Sequence, residues 1–83
     1  MFDNIDGNRD ASQIGLDASN PVDFKTIYDA AMQMLFKISY RIVNDEEVAE
    51  DLAHDSLIKA NEKAIVFPTV NDAKFWLIRV VKN

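Results

Sequence analysis

The chain contains no cysteine, so neither a disulfide staple nor a thiolate metal site can form. That composition fits a reducing compartment. Glycine and proline are scarce, at two each, which leaves an ordinary globular balance leaning helical. No apolar run approaches the roughly 20 residues needed to span a bilayer. Met1 to Asn20 lacks the basic and apolar blocks of a signal peptide. A cytoplasmic protein with no membrane partner is therefore expected. Phosphate-binding glycine loops, nucleophile elbows and zincin motifs are also missing, which argues against an enzyme.

What is present suits one small domain. Of the 83 residues, 48% are hydrophobic and 28% charged. A chain of this size buries a modest core. The formal net charge is −5, which by itself disfavours phosphate contacts. The distribution is more informative than the sum. Asn44 to Asp55 holds six acids (Asp45, Glu46, Glu47, Glu50, Asp51, Asp55) and no Lys or Arg. Ser56 to Asn83 holds five basic residues (Lys59, Lys63, Lys74, Arg79, Lys82) against two acids (Glu62, Asp72). One end is acidic and the other mildly basic, so two different partners can be served.

Periodicity predicts an all-α, three-helix bundle over residues 20–83, preceded by a flexible leader over 1–19. The leader carries four Asp, one Arg and both glycines. The first helix should start at Asn20-Pro21, with Asn20 as cap, Pro21 at the first helical position and Asp23 at the positive end of the dipole. Its apolar stripe is Phe24, Ile27, Tyr28, Ala31, Leu35, Ile38 and Ile42. The second should start at Asn44, paired with Glu47 in a capping-box-like arrangement, although Asp45 competes as cap. Ala49, Leu52, Ala53, Ser56, Leu57 and Ala60 form its buried stripe, and the small residues permit close helix approach. Phe67-Pro68 breaks the chain between helices. Asn71 or Asp72 then caps a third helix, Ala73 to Asn83, with Ala73, Trp76, Leu77, Val80 and Val81 toward the core. The last helix ends without a cap or glycine stop, which suggests a longer parent chain.

Two constellations stand out. On the outer face of the second helix Ile58 is surrounded by Asp51, His54, Asp55 and Glu62. Charge pattern alone favours a solvated face. An apolar centre with an acidic rim also makes a docking surface. His54 beside Glu50, Asp51 and Asp55 lacks the further ligands of a metal shell, so no metal or cofactor is expected, and a metal-dependent hydrolase is the weakest reading. The second constellation is Phe67, Phe75 and Trp76 among Lys63, Lys74, Arg79 and Lys82. Aromatics interleaved with cations can stack on unpaired bases while the cations hold phosphates. Trp76 lies on the apolar stripe and reads as core. Phe67 can either plug the bundle or present its ring outward.

Glu50-Asp51-Leu52-Ala53-His54-Asp55-Ser56-Leu57-Ile58-Lys59-Ala60 resembles the E-D-L-x-Q-[DE]-x-F-[LI]-[KR]-A segment in region 2 of bacterial RNA polymerase sigma factors. Trp76-Leu77-Ile78-Arg79-Val80-Val81-Lys82-Asn83 is similar to their W-L-Y-R-I-A-R-N segment, and the separation matches. Tyr40-Arg41-Ile42-Val43-Asn44-Asp45 resembles the end of their first long helix. The likeness is closest to the compact extracytoplasmic-function (ECF) group of the sigma-70 family.

The resemblance implies a domain that acts by binding. Its second helix would dock on the clamp helices, a coiled coil of the largest subunit of core RNA polymerase, through Asp51, His54, Asp55 and Ile58. The loop and third helix would read the −10 element of promoter DNA as non-template single strand and hold it open. By position this assigns Lys63, Val66, Phe67, Asn71 and Lys74 to a loop pocket, and Arg79 and Asn83 to backbone or base. An anti-sigma factor is a further expected partner. His54 stands where the family usually has Gln, and Phe75 where it has a smaller residue. Pro68-Thr69-Val70 replaces a polar loop stretch. The rival reading is a helical protein-interaction module that binds no nucleic acid.

Overall fold

A computed structural model describes residues 15–83. In chain order it contains a short strand β1 (Leu16–Asp17), helices α1 (Pro21–Val43) and α2 (Glu46–Glu62), a second short strand β2 (Val66–Phe67) and helix α3 (Val70–Lys82). The expected three helices are there. The two-residue strands were not anticipated.

α1 starts as its sequence dictates. Asn20 is extended (φ −86°, ψ 126°) and its Oδ1 accepts from the amides of Val22 (3.0 Å) and Asp23 (3.1 Å). Two of the free amides at the helix start are thereby satisfied, and Pro21 has no amide to satisfy. The helix ends at Asn44, which is left-handed (φ 56°) and donates its N–H to the carbonyl of Tyr40. Asn tolerates this conformation better than most residues. Asn44 therefore closes α1 and does not open α2. Asp45 takes that role, accepting from Val48 N–H at 3.0 Å, and the Asn44–Glu47 capping pair expected from sequence is not the cap that forms.

The core runs along three facing stripes. α1 contributes Ile27, Ala31, Leu35 and Ser39; α2 contributes Ala49, Ala53, Ser56, Leu57 and Ala60; α3 contributes Ala73, Leu77 and Val81. Steps of three and four place each set on one helix face. Burying a Leu or Ile side chain contributes about 1.5–3 kcal/mol, so the large residues Ile27, Leu35, Leu57 and Leu77 dominate the apolar term. The Ala and Ser positions of α2 let its backbone come close to α1. Ile42 departs from expectation: it is 52% exposed, because the stripe has drifted off the core by the last turn of α1. Ser39 is fully buried, and its hydroxyl has no hydrogen-bond partner among the described residues.

α3 begins earlier than the sequence predicts. Thr69 caps it, in place of Asn71 or Asp72, accepting from Asp72 N–H at 3.1 Å and donating its hydroxyl to Asp72 Oδ2 at 2.8 Å. Pro68 biases Phe67 toward the extended state, so the chain turns helical only after the proline. Thr69 is then the first residue able to offer a capping oxygen.

Of the expected leader, residues 1–14 lie outside the described residues. The remainder differs from expectation. Leu16–Asp17 pairs antiparallel with Val66–Phe67, Leu16 opposite Phe67 and Asp17 opposite Val66. Ala18 is fully buried. Asp17 Oδ1 accepts from the Ser19 hydroxyl (2.6 Å) and amide (2.8 Å), and these bonds hold its carboxyl below the ordinary 3.8. Two residues of strand carry no readable alternation, which is why sequence periodicity passes over them.

Candidate functional site

α2 turns one stripe away from the core. Asp51, His54, Asp55 and Ile58 follow one another at steps of three, one and three, which places them together on its outer side. Asp51, Asp55 and Ile58 are exposed, Ile58 to 48%, while His54 is half-buried. Asp55 lies 3.3 Å from Lys59, an exposed pair one turn apart that adds little stability. The stripe is thus an apolar side chain among acids, available to solvent.

His54 is held from below. Its Nε2 is hydrogen-bonded to the Tyr28 hydroxyl at 3.2 Å, and the two rings meet edge to face with centroids 5.7 Å apart. The ring of Phe24 stands 6.3 Å from that of Tyr28. This link fixes an α2 side chain to α1. Sequence reading placed Tyr28 on the apolar stripe and missed the partner, because no local signal joins residues 26 positions apart.

The basic side is less unified. Lys63, the C-terminal cap of α2, is exposed, as are Val66, Asn71, Arg79 and Asn83; Lys74 is half-buried. Phe67 is 4% exposed, with its ring centroid 5.8 Å from that of Trp76. It plugs the bundle, which settles the alternative left open by sequence. Phe75 is the opposite case at 64% exposure. Asn71, Phe75 and Arg79 recur every four residues and make one outward row on α3, with Lys82 one turn beyond. Asn71, assigned to the loop pocket, and Asn83, assigned to backbone or base, are separated by about 18 Å of helix.

Other features fall elsewhere. A groove of about 430 Å³ on α1 is lined by Asp29, Ala30, Gln33, Met34, Lys37, Ile38 and Arg41. Among the described residues no three His, Asp or Glu side chains assemble as a metal shell, and no helix is long and apolar enough to cross a membrane.

Three packed helices carry an acidic stripe with an exposed Ile on one helix and a basic, aromatic row on another. The family described as Sigma-70 region 2 matches residues 27–83, and the chain belongs to it. The match takes in both faces described above. Neither the curated proteins nor the solved structures contain a match. Membership supports a sigma-factor role in transcription initiation, which is not an enzymatic one, with core RNA polymerase and promoter DNA as the partners the family implies.

Proposed function

We propose that this chain serves as region 2 of a sigma factor of the compact ECF type. Asp51, His54, Asp55 and Ile58 dock on the clamp helices of core RNA polymerase. The exposed stripe on α2, inside the family-matched span, carries this reading. Ile58 supplies desolvated contact area at the centre, and the acids around it steer a basic partner and fix its register. An anti-sigma factor covering the same stripe would compete with polymerase.

The DNA-facing side is α3 and the loop before it. Lys63, Lys74 and Arg79 hold phosphates of the −10 non-template strand, while Val66, Asn71 and Asn83 meet bases or sugar. Phe67 supports this surface from beneath, as the buried floor of the loop. Phe75 is the aromatic ring free to stack on an unpaired base, with Arg79 one turn away. Unstacking a base costs a few kcal/mol, which stacking and hydrogen bonds on the protein must offset. The segregation of charge lets an acidic chain do this: α3 carries Lys74, Arg79 and Lys82 against Asp72 alone. Titrating the chain against a coiled-coil fragment of the polymerase largest subunit, with stripe variants alongside, tests the docking half.

A further inference from the structure

Residues 15–18 run beside the loop between α2 and α3 and are bonded along its length. Ala18 donates its N–H to the carbonyl of Ile65 at 2.9 Å. Asn61, on the last turn of α2, donates its side-chain amide to the carbonyl of Ala18 at 2.9 Å. Leu16 and Asp17 pair with Phe67 and Val66. Gly15 is at φ +118°, and a Cβ built there would stand 2.9 Å from the Phe67 carbonyl oxygen. Only glycine takes that backbone conformation at so close an approach without strain.

This pairing decides how the loop is presented. Successive residues of a strand face opposite sides. With Phe67 turned into the core, Val66 is turned out, at 60% exposure. A slip of one residue would exchange them. Residues 15–18 precede the span 27–83 that the family match covers, whereas their partners Asn61, Ile65, Val66 and Phe67 lie within it.

We propose that residues 15–18 form a strap that positions the α2–α3 loop for single-stranded nucleic acid, holding Val66 outward and Phe67 inward. The strap's role rests on the DNA-binding half of the reading above and is independent of the docking half. Its effect is preorganisation: the loop is ordered when the domain folds, so binding does not have to order it. Asn61 is a positioning residue, acting through the Ala18 carbonyl.

The test uses Gly15→Val and Asn61→Ala in the full 83-residue chain. Three quantities are read: amide exchange across residues 65–67, affinity for the clamp coiled coil, and affinity of the polymerase-bound chain for a single-stranded −10 non-template oligonucleotide. The expected result is faster exchange at Val66 and Phe67, coiled-coil affinity as in the parent, and oligonucleotide affinity lower by about fivefold to tenfold. Unchanged exchange and unchanged oligonucleotide affinity in both variants overturn the strap and leave the DNA reading standing. A parent chain that binds the coiled coil but not the oligonucleotide overturns the DNA reading and the strap's role with it. Should Gly15→Val not fold, Asn61→Ala decides, since Asn61 is exposed and its substitution removes one amide donor.

Discussion

The Tyr28 hydroxyl and His54 Nε2, 3.2 Å apart, tie the outer stripe of α2 to the body of α1. The contact is part-buried, and its loss leaves a ring nitrogen without its partner. Tyr28→Phe keeps the ring packing and removes the bond, so it is expected to lower stability by about 0.5–1.5 kcal/mol in urea unfolding. It should also weaken clamp-helix binding when His54 is present and have little further effect on a His54→Ala background. A double-mutant cycle read by calorimetry checks this. Additive effects would show that Tyr28 does not position His54.

The two phenylalanines of the basic side should separate cleanly. Phe67→Ala empties a core position and is expected to cost about 3–5 kcal/mol of stability, enough to unfold much of a small domain. Phe75→Ala should change stability by no more than about 0.5 kcal/mol, because its ring is exposed. The same variant should weaken binding of a −10 non-template oligonucleotide to the polymerase-bound chain by about 1–3 kcal/mol, the worth of one stacked base. Thermal melts and fluorescence anisotropy measure the two quantities. Oligonucleotide binding unaffected by Phe75→Ala would remove the ring from the DNA surface.

Ser39 offers a test of the core alone. Its buried hydroxyl has no hydrogen-bond partner among the described residues, and alanine is the better helix former. Ser39→Ala is therefore expected to raise stability by about 1 kcal/mol in a denaturant titration. A destabilised variant would mean that the hydroxyl has a partner after all.

Much of this fold was legible in the sequence because its signals are local. Asn20-Pro21 announces the start of α1, and the i, i+3, i+4 pattern of Ile27, Ala31 and Leu35 announces its buried face. Errors arose where two residues competed for one local role. Asn44 and Asp45 both suit a cap, and the tight turn gives one to each helix. Thr69 outcompetes Asn71 and Asp72 because it lies directly after Pro68. The long-range relationships were not legible. Tyr28 meets His54, and Leu16 meets Phe67, only because the helices fold back on one another. For the site, helix spacing put Asp51, His54, Asp55 and Ile58 on one face together with Glu47 and Glu62, and the family resemblance singled out those four. The basic side needed the structure, since Phe67 and Phe75 look alike in sequence and differ in burial.

We propose the α2 stripe as the polymerase-docking surface. Its most direct test is the affinity of the chain for a clamp coiled-coil fragment, measured by isothermal titration calorimetry for the parent, Ile58→Ala and Asp51→Ala. Both side chains are exposed, so circular dichroism should show the fold intact. Ile58→Ala, at the apolar centre, is expected to weaken binding by about tenfold or more, and Asp51→Ala, on the rim, by less. Affinities unchanged in both variants would contradict the assignment of this face to core RNA polymerase.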